Sequence, residues 1–397
     1  MQKTSTRICI LGGGFGGLYT ALRLSQLPWL SGLKPEIVLV DQSDRFLFSP
    51  LLYELLTGEL QTWEIAPPFA ELFQGTSIRF QQGVVSEISV DQQLVKLQDE
   101  SEIKYDRLVL ALGGETTLDL VPGADKYAYV FKTIADAYQL EERLRALIES
   151  DTDKIRIAIV GGGYSGVELA CKLADRLGER GRLRLIEISD QILRTSPEFN
   201  REAARKVLLN KGVFLDLETR VGAIAADSIS LEYKNQLDTI PVDLVIWTIG
   251  TRVVPIVKTL PLKLNQRGQI TITPKLQVPD YTEIFALGDL ADCRDEAGQQ
   301  VPSTAQVAFQ QADYAAWNIW ASLTNRPLLP FRYQPLGEMM TLGIDNATFT
   351  GLGIKLDGYL AYLVRRLAYL YRFPTLEHQL KVGFNWLVRP LIDLIVE

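Results

Sequence analysis

Histidine is almost absent from this sequence: of 397 residues, only His378 carries an imidazole. One remote histidine cannot build a Ser-His-Asp triad or a metal cluster, and it reads as a surface or packing residue. Cysteine is nearly as scarce. Cys9, Cys171 and Cys293 stand far apart and no C-x-x-C occurs, which excludes a dithiol relay and points to a reducing compartment. Cys9 and Cys171 read as small buried hydrophobes, one in a strand and one in a helix. No uninterrupted apolar run of about 18 residues is present, so no transmembrane helix is predicted. A first strand entered by Arg7 leaves no room for a signal or transit peptide. Basic runs are missing too. With 41 basic against 48 acidic residues the net charge is −7, and nucleic acid is excluded as a partner.

Glycine, by contrast, is present in a repeated pattern. Arg7-Ile-Cys-Ile-Leu-Gly12-Gly-Gly14-Phe15-Gly-Gly17 returns as Arg156-Ile-Ala-Ile-Val-Gly161-Gly-Gly163-Tyr-Ser-Gly166. Each copy has an apolar strand, a G-x-G-x-x-G turn, a helix-compatible stretch and a second apolar strand. The second strand ends on an acid, Asp41 in the first copy and Glu187 in the second. The glycines allow a tight turn, backbone contact with a pyrophosphate and close packing of helix on strand. The helix N-terminus favours the negative charge, and the distal carboxylate takes ribose hydroxyls. One such turn is weak evidence. Two complete units imply two dinucleotides, and hence electron transfer between them.

The alternation of strands and helices predicts an α/β fold with two Rossmann-like dinucleotide-binding domains. Tyr105-Asp-Arg-Leu-Val-Leu-Ala111-Leu-Gly113-Gly114 closes the first unit, and Val242-Asp-Leu-Val-Ile-Trp-Thr-Ile-Gly250 closes the second in the same way. Glu283-Ile-Phe-Ala-Leu-Gly288-Asp289 is a further strand-to-glycine element without a fingerprint. The simplest account returns the chain to the first domain there. The expected domains are 1–118 with 275–330, an inserted 119–274, and a C-terminal segment 331–397 where the composition changes. A charged exposed helix is expected over Asp136 to Ser150.

With these motifs in hand, the chain resembles the two-dinucleotide flavoproteins of the disulfide-reductase superfold. Lacking a redox cysteine pair, it resembles among them the type II NAD(P)H:quinone oxidoreductases. Arg45-Phe-Leu-Phe-Ser-Pro50-Leu-Leu-Tyr-Glu54 matches a segment beside the flavin, and Gly161-Gly-Gly-Tyr-Ser-Gly166-Val-Glu168 matches the family's G-G-G-x-x-G-V-E. Gly288-Asp289 matches its FAD aspartate, and Ala305-Gln306-Val-Ala-Phe-Gln310-Gln311 matches its quinone segment. The resemblance implies FAD on the first domain and NAD(P)H on the second. It assigns cofactor contacts to Gly12, Gly14, Phe15, Gly17, Asp41, Pro50, Ala111, Gly113, Gly161, Gly163, Gly166, Glu187, Gly250, Gly288, Asp289 and Gln306. Glu168, Gln306 and Gln310 become the candidate catalytic residues. The two glutamines are four apart, on one helical face, and amides donate to quinone carbonyls without adding charge.

A narrower similarity, in Leu52-Tyr-Glu-Leu-Leu-Thr-Gly58-Glu and Trp63-Glu-Ile-Ala-Pro67, is to the cyanobacterial and plastid branch that reduces demethylphylloquinone in vitamin K1 synthesis. It implies a membrane quinone substrate, demethylphylloquinone or plastoquinone. That branch leans toward NADPH, whereas Glu187 argues for NADH because a carboxylate repels a 2′-phosphate. Arg184 and Arg194 lie near enough in sequence to offset that repulsion, so the donor is left as NAD(P)H.

The tail carries a membrane expectation. Leu360, Leu363, Val364, Leu367 and Leu370 fall at helical spacing, with Arg365, Arg366 and Arg372 expected opposite them near headgroups. Between 359 and 392 there are five basic residues and one acidic, among interfacial ring types such as Tyr359, Tyr362 and Trp386. This reads as a peripheral anchor on the cytoplasmic face of a prokaryotic plasma or thylakoid membrane. The competing reading is a dimer helix, which makes the chain a homodimer. Two functional alternatives stay open: a slow flavoprotein redox sensor, and another flavin reductase of the ferredoxin-reducing kind.

Overall fold

The computed structural model describes residues 6–396 apart from 31, 33 and 297, with side chains given in the last helix as far as Arg389. The expectation of no leader peptide falls partly on residues 1–5, outside the described residues. Strand β1 (Arg7–Leu11) turns into helix α1 (Phe15–Gln26) and returns as β2 (Glu36–Asp41); β3 (Ile78–Gln82) and β4 (Arg107–Leu110) follow. Next come β5 (Ala128–Val130), α2 (Ile134–Glu149), β6 (Ile155–Val160), α3 (Tyr164–Leu177) and β7 (Gly181–Ile186). They lead to β8 (Phe214–Asp216), β9 (Leu244–Trp247), β10 (Gln277–Val278), β11 (Tyr281–Ala286) and α4 (Ala305–Leu323). An antiparallel trio, β12 (Glu338–Thr341), β13 (Ala347–Gly351) and β14 (Ile354–Asp357), precedes α5 (Gly358–Tyr371) and α6 (Leu376–Val396). Helix α2 begins before the expected Asp136 because Thr133 caps it: Asp136 N donates to Thr133 Oγ1 and Thr133 N donates back to Asp136 Oδ2.

The chain forms two compact units. One comprises the chain up to Leu47, Ala66–Glu115 and Thr251–Gln334. Its main sheet runs β10-β11-β4-β1-β2-β3, parallel except for the β10–β11 pair. Ile8, Cys9, Ile10 and Leu11 are completely buried, as a central parallel strand covered on both faces requires. Burial pushes the Cys9 thiol up to about 12, so it packs and does not react. Cys171 is buried in α3 as expected, and Cys293 is buried as well.

The other unit comprises Phe48–Ile65, Thr116–Gly250 and the chain from Pro335 on. Its sheet is wholly parallel, in the order β8-β7-β6-β9-β5. Ala158, Val160, Val245 and Trp247 pack under it with Ile186 and Ile229. This partition differs from the expected boundaries in three places: 48–65 and the tail both join the second fingerprint's unit, and 251–274 groups with the first. The cause is long-range polar stitching. Arg365 Nη2 donates to the Pro50 carbonyl at 2.7 Å, Tyr53 donates to Ser165 Oγ at 3.0 Å, and Lys172 pairs with Glu59. Arg389 donates to the carbonyls of Gly58 and Glu59.

Helices α5 and α6 invert the usual distribution. Leu360, Leu363, Leu367 and Tyr371, with Leu376, Leu380, Phe384 and Leu387, are exposed, while Arg365 is fully buried. The expectation of Arg365 near headgroups is therefore corrected. Glu54, 311 positions earlier in the sequence, draws it inward. Arg366 lies over the rings of Tyr362 and Trp386, which ties α5 to α6. His378 is a packing residue. Its Nε2 bonds the Glu64 carbonyl oxygen at 2.8 Å and its ring meets Phe373 edge-on.

Candidate functional site

The two glycine turns are superimposable in their bonding. In the first, Gly12 N donates to the Val40 carbonyl at 2.8 Å, Gly13 N to Asp41 Oδ2 at 2.5 Å, and Ser43 N to Asp41 Oδ1 at 2.8 Å. In the second, Gly161 N donates to the Ile186 carbonyl at 2.8 Å, Gly162 N to Glu187 Oε2 at 2.6 Å, and Ser189 N to Glu187 Oε1 at 2.8 Å. Each carboxylate is held against the middle glycine while keeping lone pairs for a ligand hydroxyl. Burial lifts the Asp41 carboxyl above its ordinary value, against the bonds from Gly13 and Ser43.

The glycines divide their work as the sequence predicts. Gly12 and Gly161 have φ of +99° and +112°, which side chains rarely adopt. A Cβ on Gly17 would lie 1.8 Å from the Gly12 carbonyl oxygen, and one on Gly166 would lie 1.8 Å from that of Gly161. Gly14 and Gly163 are different: both are exposed, and a Cβ there would meet nothing within 4 Å. They are the N-caps of α1 and α3, and neither helix has a side-chain cap. Uncapped N–H groups therefore face open space, as a pyrophosphate cradle demands. The residues present fit two bound dinucleotides.

Other predicted residues gather at the carboxyl ends of the strands, where open α/β sheets bind ligands. The Ala111 carbonyl lies against Gly12, and Ala111 N donates to the Leu11 carbonyl. Leu287 N donates to the Leu110 carbonyl, which brings Gly288-Asp289 beside Ala111 and Gly113. Gly288 N is held by Gln311 Oε1 at 2.8 Å. Gln311 is buried and the expected site did not include it. Its position one residue past Gln310 in the quoted segment was the available signal. Phe15 packs its ring edge-on to Phe46 at 5.3 Å. Gly250 has φ of +76° and accepts from Thr117 N in the second unit, where Pro50 also lies.

Gln306 and Gln310 share one face of α4, and both bond the segment that follows the helix. Gln306 Oε1 accepts from Tyr333 at 2.8 Å. Gln310 takes both backbone groups of Gln334, accepting from its N at 3.0 Å and donating to its carbonyl at 2.8 Å.

Glu168 sits in a buried charge cluster that the sequence did not reveal. Its Oε1 accepts from Thr341 N at 2.9 Å and lies 3.8 Å from Arg365 Nη2. Glu54, Glu59 and Lys172 complete the group, none more than about a tenth exposed. Burial, against the pull of Arg365, moves the Glu168 carboxyl from 4.5 up to about 7. A folded state that binds the proton more tightly than the unfolded chain loses stability as pH rises from 4.5 to about 7. Glu168→Gln is expected to remove that decline. At pH 8 the variant should be the more stable protein by on the order of 1–3 kcal/mol. Urea midpoints at pH 5.5 and pH 8 read this, and identical slopes in the two proteins would refute it.

Residues 6–312 match the family model for pyridine nucleotide-disulphide oxidoreductase. The demethylphylloquinone reductase NdbB of Synechocystis sp. is 59% identical, covering 99% of this chain and 98% of its own. The alternative NAD(P)H-ubiquinone oxidoreductase C1 of Arabidopsis thaliana is 45% identical, over 98% of this chain and 82% of its own. Among solved structures, NDH2 of Plasmodium falciparum in complex with NADH has a TM-score of 0.84 at 18% identity, covering 97% of this chain and 98% of that one.

Proposed function

The chain belongs to the pyridine nucleotide-disulphide oxidoreductase family and, within it, to the type II NAD(P)H:quinone oxidoreductases; from that premise we propose that it is an FAD-dependent NAD(P)H:quinone oxidoreductase whose substrate is a membrane naphthoquinone, demethylphylloquinone, with plastoquinone as the second candidate. The observation that carries this reading is the pair of matched turns, each with open glycine N–H groups and a carboxylate held at ribose position. We assign FAD to the unit of Gly12, Gly14, Gly17, Asp41 and Asp289, and NAD(P)H to the unit of Gly161, Gly163, Gly166 and Glu187. FAD, when bound, accepts a hydride from NAD(P)H and passes two electrons to the quinone. Glu168, whose carboxyl burial lifts to about 7, is assigned to positioning the nicotinamide or relaying protons near the flavin. Gln306 borders the quinone, and Gln310 positions the 333–334 segment beside it.

The exposed apolar stripe of α5 and α6 supports a peripheral membrane attachment, and the scarcity of cysteine supports the face of a reducing compartment, the cytoplasmic one. Among the described residues no helix is long and apolar enough to cross a membrane. Because α5 supplies Ala361 and Tyr362 to a small core cluster and Arg365 to the buried charge group, cutting the tail away would expose both, so the attachment is tested on the whole chain.

One preparation tests these assignments. It should be yellow, reduce short-chain naphthoquinones with NADH or NADPH, and sediment with anionic vesicles until Leu367 and Leu380 are changed to Glu. Gln306→Leu should raise the quinone KM several-fold and leave single-turnover flavin reduction fast. A colourless protein defeats the FAD assignment, and a yellow one with negligible turnover is a redox sensor. Slowed flavin reduction would move Gln306 to the nicotinamide side, and vesicle binding indifferent to the two Glu substitutions would make the stripe a dimer face.

A further inference from the structure

The buried charge group has two ends. The side chains of Glu59 and Glu168 are 10% and 9% exposed, while Glu54, Lys172 and Arg365 are at 3% or less. All five belong to the second unit. Glu168 stands in the second turn of α3, the helix whose N-terminus is the open glycine cradle. Glu59 lies on segment 48–65, where Thr57 donates to its carboxylate and the neighbouring Gly58 is exposed. Lys172 follows Glu168 by four residues on one face of α3, pairs with Glu59, and helps to hold the Glu54 carboxyl down. Glu59 N donates to the Glu54 carbonyl at 3.1 Å, so one turn carries both acids.

Three carboxylates here face two cations. A buried group costs least when neutral, so this one holds a single proton. Glu168 binds it more tightly than Glu54 does. Burial lifts the Glu168 carboxyl to about 7, whereas Arg365 and Lys172 keep Glu54 below its ordinary value. Tyr53, Tyr164 and Tyr369 also face Glu168, and burial keeps their hydroxyls protonated. Glu59 Oε1, Glu54 Oε2 and Arg365 Nε are buried without a hydrogen-bond partner. Buried polar atoms of this kind are ordinarily satisfied by internal water. Water between carboxylate oxygens carries protons.

Reduction of a quinone by NAD(P)H consumes one proton from solvent. The hydride brings two electrons and one proton, and the quinol needs two electrons and two protons. We propose that Glu59 is the solvent inlet of a buried proton path that refills Glu168 once in each turnover. This rests on reading Glu168 as a proton relay. A proton bonds to Glu59 Oε1, passes through water to Glu54 Oε2, and ends on Glu168, each O–H bond breaking as the next one forms. Lys172 and Arg365 keep their charges throughout. They make Glu54 a poor holder of the proton, so its transfer to Glu168 runs downhill.

The test uses the FAD-loaded full chain with NADH and a short-chain naphthoquinone, in H2O and D2O. At pH 8, Glu59→Gln should slow flavin reoxidation by the quinone about tenfold and leave flavin reduction by NADH within about twofold. Its solvent isotope effect should rise, and azide or formate, small weak acids that carry protons, should restore several-fold of the lost rate. Glu59→Gln with Lys172→Met leaves no buried charge unpaired and should show the same loss, so it decides the matter if the single variant does not fold. Reoxidation within about twofold of wild type in either folded variant overturns the inlet. So does a loss that neither acid restores, or one that slows flavin reduction equally. Glu168→Gln impaired beside an intact Glu59→Gln would keep the relay and discard the inlet alone. Glu168→Gln with the wild-type reoxidation rate and isotope effect would remove the relay itself, and this inference with it.

Discussion

Arg365→Leu is expected to destabilise the protein by about 3–5 kcal/mol, the usual cost of leaving a buried charge uncompensated. Arg365 is fully buried, its Nη1 lies 2.5 Å from Glu54 Oε1, and its guanidinium lies over the Tyr369 ring. Removing it strands Glu54 at 3% exposure, takes the nearest cation from Glu168, and leaves the Pro50 carbonyl without its donor. Burial pushes the Glu54 carboxyl up, and Arg365 together with Lys172 outweighs that and holds it below its ordinary value. A group whose folded value is lowered stabilises above its unfolded value and loses that contribution as pH falls through the folded one. The penalty of Arg365→Leu should therefore be largest above pH 7 and shrink steadily as pH falls through the mildly acid range, because carboxyls stranded by burial take up protons above their ordinary values. Replacing both partners, Arg365→Met with Glu54→Leu, should recover most of the loss, since an apolar pair of similar volume needs no counter-charge. Urea unfolding of the three proteins at pH 7 decides it. A single variant within about 1 kcal/mol of wild type would mean that water reaches the pair.

A second pair of substitutions separates the two turns. Gly17→Val and Gly166→Val make the same steric error in two places, because each Cβ would lie 1.8 Å from a carbonyl oxygen of its own turn. Backbone must move in response, and the helix N-terminus moves with it. Gly17→Val should purify with flavin reduced to a few per cent of wild type. Gly166→Val should stay yellow, remain reducible by dithionite, and lose reduction by NAD(P)H by a factor of about 100 or more. The absorbance ratio at 450 and 280 nm reads the first, and anaerobic mixing with NADH reads the second. A reversal of the two phenotypes would exchange the cofactor assignments of the units.

What could be read from the sequence follows from how local each constraint is. Gly12, Gly17, Gly161 and Gly166 were legible because their requirement is imposed by atoms of the same turn, within a few residues. Asp41 and Glu187 were legible because one ends, and the other directly follows, the strand that pairs with the fingerprint strand. The buried cluster was not. Arg365 stands among leucines at helical spacing, and in that pattern an arginine reads as solvent-facing. Its partner Glu54 is too distant in sequence for any local pattern to connect them. Segment 48–65 was misplaced for the same reason, since the residues that hold it, Ser165, Lys172, Arg365 and Arg389, are scattered along the remaining chain. Gln310 was correctly put on one helical face with Gln306, but its grip on Gln334 depends on a loop path that composition does not determine.

The interleaving of the two units sets a timetable for synthesis. Leu108 of β4 pairs with Ile284 of β11, and Glu64 is gripped by Asn385 and Trp386 near the end of the chain. At about 5–20 residues per second, a ribosome leaves the β4 edge waiting on the order of 10–30 s for its neighbour. Segment 48–65, which carries the buried Leu51, Leu52 and Ile65, waits longer still. Neither unit can fold in the order in which it is made, so the nascent chain displays an open strand edge and apolar side chains through most of translation. Its yield in a cell should therefore track chaperone supply more closely than the stability of the finished protein.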